Sequence, residues 1–388
     1  MRYYLVAGEA SGDLHGSNLI RGLKAEDPAA EFRFWGGEKM QEAADGKGLV
    51  RHYRDGAVMG AWEIVVRARK LLSRVSDCQR DLLAWSPDAV ILIDYPGFNF
   101  KIARYAHECG FKVFWYIAPK TWASRAGRNR KLRAWVDWLF IVFPFEQEYF
   151  RAQGVPFVYA GNPLLDAVDA SPALREAPEA FFSRHGLKPF RYVALLAGSR
   201  TTEIRRMMPV LTDFAERLRA LPAYADCEFI LAGAPARSAA DYEPFLSETQ
   251  QGYVHLVFGD TYGVLRHAGA AVINSGTASL EAALLGTPQV VCWSTSALSA
   301  FLIRRVGRVL KHIKYISLGN LILDRPAFRE LIQEEFTARA VTAEVERLLG
   351  DAAYRDKMVS EYAEIRKALG TAGASRAVAA AMIAALKP

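Results

Sequence analysis

Four short segments carry residues whose types and spacing suit chemistry on a charged or hydroxyl-bearing ligand. Gly8-Glu9-Ala10-Ser11-Gly12-Asp13-Leu14-His15-Gly16 follows an apolar run and opens a helical pattern. Its glycines allow close approach to the backbone, and the first helical turn offers N–H groups that no intrahelical carbonyl takes. Gly8, Glu9, Ser11 and Gly12 are therefore candidate ligand contacts, with Asp13 and His15 as candidate acid–base groups. The alternative is a tight strand–helix turn with Asp13 as N-cap. The spacing is not GxGxxG, so no dinucleotide site is implied. In Leu92-Ile93-Asp94-Tyr95-Pro96-Gly97-Phe98-Asn99, Asp94 ends a buried apolar strand, where a carboxylate is costly unless bonded or used. Beside an apolar wall its pKa would rise, and it could take a proton from a hydroxyl. The alternative is an Asp94 that bonds loop N–H groups and orders the turn at Pro96.

The other two segments lie in the second half of the chain. Leu196-Ala197-Gly198-Ser199-Arg200-Thr201-Thr202-Glu203 offers a small residue, a hydroxyl and a guanidinium fork that suits a phosphate bidentately. Glu203 is read as either part of the site or a helix cap. In Ile273-Asn274-Ser275-Gly276-Thr277-Ala278-Ser279-Leu280-Glu281, a strand feeds a helix whose first turn is rich in N–H and hydroxyl donors for an anion. Glu281 lies one turn after Thr277, where a carboxylate suits the paired hydroxyls of a ribose. The alternative is a good capping sequence with a solvated Glu281. With the Gly-Ser-Arg loop in the same half, the pair reads as a pyrophosphate site.

These loops need elements to hold them. The chain has 388 residues, about two domains by length, and its 51% hydrophobic and 23% charged residues exclude wholesale disorder. Strand-length apolar runs alternate with helical periodicity, for instance Tyr3–Ala7, Asp13–Lys24, Phe32–Trp35, Trp62–Trp85 and Ala89–Asp94. That alternation implies βαβ units and parallel sheets, whose ligands bind beyond the carboxyl ends of the strands. It lapses in the proline-rich stretch Gly161–Pro189, which places a linker near residues 165–185, and restarts at Arg191. The expected organisation is one doubly wound α/β domain at 1–165, a second at 166–345 and a helical tail at 346–388. The tail is expected to pack back on the first domain or on a partner subunit.

The cysteines (Cys78, Cys109, Cys227, Cys292) are scattered, which argues against a disulfide framework or structural zinc and for a reducing compartment. The start of the chain meets Glu9 too early for a signal-peptide apolar region. A charge-free run, Ala282–Ile303, is long enough to span a membrane, but its Gly286-Thr287-Pro288 and Ser-Thr-Ser read as a turn and strand ends. The net charge is +7, and basic residues crowd three segments: Met59–Val75, Lys120–Arg133 and Ala297–Tyr315. Basic residues beside apolar ones at helical spacing suit an anionic membrane surface. Nucleic acid is set aside, because no helix-turn-helix or RNA-binding signature accompanies the charge.

Taken in order, the motifs resemble those of the lipid-A-disaccharide synthases. The likeness rests on Val6–Gly16, Ile93–Asn99, Ala118-Pro119-Lys120-Thr121-Trp122-Ala123, Leu196–Ile204, Ser275–Glu281, Leu318-Gly319-Asn320-Leu321-Ile322 and Glu330-Leu331-Ile332-Gln333. It departs from the family pattern at Lys120-Thr121, where Ser-Val is usual, and at Gly319, where Pro is usual. The resemblance implies a GT-B type glycosyltransferase: two doubly wound Rossmann-like α/β domains facing a cleft, with C-terminal helices. It implies transfer from a UDP-2,3-diacylglucosamine donor to a 2,3-diacylglucosamine 1-phosphate acceptor. The product is the β-1,6-linked lipid A disaccharide 1-phosphate, and UDP is released. It further implies a cytoplasmic enzyme, peripheral on the inner membrane, and a homodimer that can exchange C-terminal helices. Asn320, Glu330 and Gln333 come from the resemblance alone, as donor-sugar or cleft residues.

An α-linked donor and a β product mean inversion, so a single displacement needs a base near the acceptor hydroxyl and charge stabilisation at departing UDP. Asp94 is assigned as that base, with Asp13 and His15 as rivals or helpers. Ser199, Arg200, Asn274, Ser275, Gly276, Thr277 and Glu281 are assigned to the nucleotide. No DxD-like pair suggests a metal, no cofactor is expected, and a helix N-terminus with an arginine can do a cation's work. The competing readings are another UDP-sugar enzyme of this fold, such as a muramyl-lipid glycosyltransferase or a UDP-sugar 2-epimerase, and a non-enzymatic nucleotide-sugar sensor at a membrane surface.

Overall fold

Apolar runs without polar alternation become strands covered on both faces; Ala89–Ile93 and Tyr192–Leu196 are buried at every position. In the computed structural model, which describes residues 1–56, 64–123, 125–235, 237–295 and 314–387, such strands form two parallel sheets in two compact units. One unit comprises Met1–Ala167 with Leu369–Pro388, the other Val168–Ala368.

The first unit holds β1 (Arg2–Ala7), β2 (Glu31–Gly36), β3 (Leu49–His52), β4 (Ala89–Ile93), β5 (Lys112–Tyr116), β6 (Trp138–Ile141) and β7 (Phe157–Tyr159). Their spatial order is β3-β2-β1-β4-β5-β6-β7. The second holds β8 (Tyr192–Leu196), β9 (Glu228–Gly233), β10 (Val254–Phe258), β11 (Ala270–Asn274), β12 (Gln289–Trp293) and β13 (Glu330–Ile332), ordered β10-β9-β8-β11-β12-β13. Each sheet reverses its winding once, between β1 and β4 and between β8 and β11, and such a reversal is where ligands bind in doubly wound sheets. β3, β7 and β13 were not expected from the sequence. They are edge strands of three or four residues, two of them half-buried throughout, too short for a clear apolar run.

The expected linker at 165–185 is instead largely helical. Pro163 opens the helix Pro163–Asp169, and Pro172 and Pro178 sit at the first positions of the next two turns. A proline there forfeits only an N–H that has no intrahelical partner, so these prolines start helices rather than interrupt structure. The described part of the charge-free run is the end of the helix Thr277–Leu285, a turn with Gly286 at φ 81°, and β12; residues 296–303 lie outside the described residues. Beyond Thr337 the chain is helical, as Ala338–Gly350, Ala352–Leu369 and Ala374–Leu386. Residues 346–368 belong to the second unit, where the Tyr362 hydroxyl donates to the Thr287 carbonyl at 3.1 Å.

The last helix lies in the first unit against the helix Ala10–Glu26. A Cβ on Gly22 would come within 2.9 Å of the Ser375 carbonyl, so only glycine allows the approach. The Asp166 carboxylate accepts from the Gly373 and Ser375 N–H groups at its start, and Arg376 pairs with Glu26 at 2.6 Å. Val378, Ala379, Met382 and Ile383 are buried, so its apolar face is used in packing.

Candidate functional site

At the first reversal, β1 and β4 pair in register, Ala7 opposite Ile93, which sets Gly8 beside Asp94 where both strands end. Asp94 falls one residue past β4 and is half-buried rather than inside the strand. Asp94 and Tyr95 are consecutive non-glycine residues in the left-handed region, with φ of 43° and 45°. Each such residue costs roughly 1–3 kcal/mol and persists only where its surroundings enforce it. Part of that enforcement is visible. The buried Asn99 amide donates to the Asp94 carbonyl at 2.8 Å and the Ile93 carbonyl at 3.3 Å, while the Asp94 N–H donates to the Tyr116 carbonyl at 3.1 Å. Gly8 makes room for the turn, because a Cβ there would lie 2.3 Å from the Tyr95 ring. Asn99 stood in the recognised motif, but its anchoring role depends on contacts that spacing does not show.

Asp13 is not the N-cap of its own helix. That position is Glu9, whose side chain makes no capping bond. The Asp13 carboxylate instead accepts from Gly37 N–H at 2.8 Å, Met40 N–H at 3.1 Å and Lys39 N–H at 3.2 Å, tying down the start of the helix Glu38–Ala43. His15, two residues further on, is buried, and desolvation pushes its pKa down to about 4, so the ring is neutral at pH 7. Among the described residues its Nδ1 has no hydrogen-bond partner. Glu9 and Ser11 are exposed in the first helical turn, and Gly12 is buried against Ala7.

The loop after β6 leads into a residue that sequence reasoning missed. The Glu146 carboxylate is buried and accepts from Trp122 Nε1–H at 3.1 Å, Val142 N–H at 3.1 Å and Phe143 N–H at 3.0 Å. Burial pushes its pKa up to about 7, against those three donors. A carboxyl whose pKa is raised on folding contributes stability that is present below about 4.5 and lost as pH rises through about 7, a swing on the order of 3 kcal/mol. Glu146→Gln cannot titrate, so its melting temperature relative to wild type should rise between pH 5 and pH 8. A difference independent of pH would remove Glu146 as the titrating group. Nothing in the sequence flagged it, because a lone Glu opening a helix reads as a cap.

The second reversal joins the other two motifs. β8 and β11 pair with Leu196 opposite Ile273, so the Gly198 loop and Asn274 leave the sheet side by side. Gly198 has φ 95°, and a Cβ on it would lie 2.7 Å from Asn274 Nδ2 and 2.6 Å from Glu203 Oε2. The N–H groups of Ser199 and Arg200 donate to Glu203 Oε2 at 3.0 and 3.1 Å, and the Arg200 guanidinium pairs with Glu203 Oε1 at 2.9 Å. Glu203 is thus the cap of this loop, and the loop's own amides are bonded to it. Arg237, missed in the sequence, donates to the Ser199 carbonyl at 2.8 Å and braces the same turn.

Gly276 caps the helix Thr277–Leu285 without a side-chain bond, and Thr277 is exposed at its first turn. Glu281 is half-buried and accepts from the Tyr262 hydroxyl at 3.1 Å. Burial, then Glu281, pushes the Tyr262 pKa up.

The three residues carried over by resemblance connect to this point through the backbone. Ser275 Oγ donates to the Ile316 carbonyl at 3.5 Å, and the Ile316 and Ser317 N–H groups donate to the Glu330 carboxylate at 3.0 and 2.9 Å. The buried Asn320 amide donates to Glu330 at 2.9 Å and accepts from Ala327 N–H at 2.8 Å; Gln333 accepts from Thr295 N–H at 2.5 Å. Gly319 has a packing reason here, since a Cβ would meet Phe328 at 2.8 Å and Ile365 at 2.9 Å.

Of the three basic segments, 59–63 and 297–313 lie outside the described residues. Along Lys120–Arg133, Lys120, Arg125, Arg130, Lys131 and Arg133 are exposed, and Arg128 lies 5.5 Å from the Phe100 ring centroid.

Chains of known structure share this architecture. A Staphylococcus aureus MnaA–UDP structure superposes with a TM-score of 0.71 at 12% identity, covering 99% of this chain and 96% of that one. The UDP-GlcNAc 2-epimerase of Methanocaldococcus jannaschii gives 0.65 at 12%, covering 99% and 100%. At such identities the likeness is one of fold, two Rossmann-like units. Sequence relatives are nearer. The lipid-A-disaccharide synthase of Geobacter metallireducens is 38% identical over 380 residues, covering 97% of this chain and 95% of that one. That of Syntrophus aciditrophicus is 35% identical, covering 99% and 97%. A profile described as lipid-A-disaccharide synthetase matches residues 3–384, both reversal loops included. The chain therefore belongs to the lipid-A-disaccharide synthetase family.

Proposed function

We propose that this chain is an inverting glycosyltransferase that joins UDP-2,3-diacylglucosamine to 2,3-diacylglucosamine 1-phosphate, giving the β-1,6-linked disaccharide 1-phosphate and UDP. The observation that carries the reading is the near-full-length family match, and the loops at both winding reversals give it chemistry. Asp94 is the general base for the acceptor 6-hydroxyl, held beside Gly8 by its enforced turn. From within the helix Ala10–Glu26, Asp13 fixes the start of the helix Glu38–Ala43, and Asp13 and His15 remain the rival or helper groups to Asp94. In the second unit the open N-terminus of the helix Thr277–Leu285, with Asn274, Ser275, Gly276 and Thr277, receives the UDP pyrophosphate. There the helix dipole and free N–H groups stabilise the charge that grows on the leaving group. Glu281 takes the ribose hydroxyls, and Asn320, Glu330 and Gln333 hold the backbone beneath the donor sugar.

Arg200 is assigned to the phosphates, turning from Glu203 when UDP arrives. Arg200→Ala should weaken UDP binding about tenfold in calorimetry, the scale of one charge-assisted hydrogen-bonded contact. Unchanged affinity would remove Arg200 from the site.

The enzyme works at the cytoplasmic face of the inner membrane in this reading, with the exposed Lys120–Arg133 stretch toward anionic lipid. A dimer formed by exchanging the last helix would have to remake its contacts with Asp166 and Glu26.

Purified protein incubated with both substrates in mixed micelles, without added metal, tests the reading by mass spectrometry. Disaccharide phosphate and UDP are expected. UDP binding without product would sink it in favour of a sensor, and conversion of a UDP-sugar to its 2-epimer without acceptor would make it an epimerase.

A further inference from the structure

Among the described residues, Ile117 is the one β-branched side chain in the left-handed region, with φ of 63°. Branching at Cβ makes that conformation a true outlier, and strain of this kind gathers where function requires it. Ile117 directly follows β5, and the residue before it, Tyr116, supplies the carbonyl that takes the Asp94 N–H at 3.1 Å. Asp94, Tyr95 and Ile117 thus crowd the ends of two adjacent strands, β4 and β5.

Such a turn persists only where its surroundings enforce it. The Ile117 N–H donates to the Phe140 carbonyl at 3.0 Å, and Ala118, Pro119 and Thr121 beyond it are buried. The loop is pinned at Trp122, whose Nε1–H meets Glu146 Oε1 at 3.1 Å and whose ring stands edge-on to Phe145 at 5.0 Å. The other oxygen, Oε2, takes the Val142 and Phe143 N–H groups, and the Asn162 amide holds the Val142 carbonyl at 2.9 Å. Glu146 therefore ties the loop after β5 to the loop after β6, and Oε1 is the atom that makes the tie.

We propose that Glu146 is a positioning residue for the transferase reaction, fixing through Trp122 the left-handed end of β5 on which the Asp94 turn rests. The inference rests on the reading of Asp94 as the general base.

The tie depends on charge. An ionised carboxylate only accepts and serves all three N–H groups, whereas protonation turns one oxygen into a donor. Oε1 has one bond against two on Oε2, so it takes the proton with the smaller loss, and its bond to Trp122 weakens. Among the described residues, Lys120 and Tyr159 are the other charged or titratable groups that act on Glu146 or feel its charge. The Lys120 cation favours the ionised form, and burial, then Glu146, pushes the Tyr159 pKa up to about 12, so that phenol stays neutral. With the Glu146 pKa raised to about 7, the tie is whole above that pH and loosens below it.

Initial rates between pH 5 and pH 9, with both substrates saturating, test the assignment. Wild-type kcat should rise with an apparent pKa near 7. Glu146→Gln should lose that ionisation. At pH 8 its kcat should lie about tenfold below wild type, the scale of one charge-assisted hydrogen bond, with the KM of the donor within about twofold. Trp122→Phe keeps a ring and loses only the N–H, so it should lower kcat about as much and flatten the profile likewise. Combining the two should cost little more than either alone, because they remove one shared contact. A Glu146 with a purely structural role would shift the melting temperature and leave kcat and its pH profile as in wild type; that result, or wild-type kcat in a folded Trp122→Phe, overturns the proposal. If Glu146→Gln does not fold, Trp122→Phe decides alone. Absence of disaccharide from wild type, or wild-type kcat in Asp94→Asn, would instead overturn the reading beneath it.

Discussion

Asp94→Asn should lose about 10²–10⁴ in kcat, the usual loss when a general base is removed, and should bind UDP as tightly as wild type. The substitution is close to isosteric, so it asks about proton affinity rather than shape. The turn is held by main-chain groups: the Asn99 amide on the Asp94 carbonyl and the Asp94 N–H on the Tyr116 carbonyl. Both survive in the variant, and the melting temperature should stay near that of wild type. Asn99→Leu supplies the contrast, because it keeps the carboxylate but removes the bonds that hold two left-handed residues in place. It should lower kcat and also destabilise the first unit. A separation in which Asp94→Asn alters rate alone while Asn99→Leu alters both would identify a chemical group on an enforced turn. Wild-type kcat in Asp94→Asn would place the base elsewhere, and Asp13 is then the next carboxylate to examine.

How far the sequence reached follows from which forces act locally. The two winding reversals were legible because buried parallel strands are near-continuous apolar runs and the loops between strand and helix are short and rich in small residues. Both pairs of expected site loops, Gly8 with Asp94 and Gly198 with Asn274, leave neighbouring strands. The edge strands Phe157–Tyr159 and Glu330–Ile332 were not legible, since a three-residue run has no period to read. Proline misled in 165–185, because the same residue opens a helix or breaks one depending on a position that composition does not give. The partners of carboxylates were also hidden. Asp13, Glu146, Glu203 and Glu330 all accept backbone N–H bonds, and three of the four had been read as capping residues or as parts of a site. Only Glu203 bonds the loop that its spacing suggested; Asp13 and Glu330 reach N–H groups 24 and 13 residues away. Such contacts are set by the sheet, not by local sequence.

Asp13→Ala should destabilise the first unit by roughly 3 kcal/mol or more, because it strands several backbone donors at roughly 1–3 kcal/mol each. The Gly37 and Met40 N–H groups that it bonds are buried, and the Lys39 N–H is partly so. The site has little room to adapt. Gly37 is already so close that a Cβ there would lie 2.8 Å from Asp13 Oδ2 and 2.4 Å from the Tyr53 ring. Asp13→Asn keeps one acceptor oxygen and should cost less, which makes it the variant for kinetics. If Asp13 acts by anchoring the helix Glu38–Ala43, a folded Asp13→Asn should keep kcat within about tenfold of wild type, far short of the 10²–10⁴ expected for a lost base. Its pH–rate profile should also be unchanged, because a carboxylate that acts by holding three backbone donors takes no proton in the reaction. A well-folded Asp13→Asn that loses as much as Asp94→Asn would mean that both carboxylates handle the acceptor proton. Melting curves and kcat measured on the same preparations separate the two roles, since an anchor moves the first far more than the second and a base does the reverse.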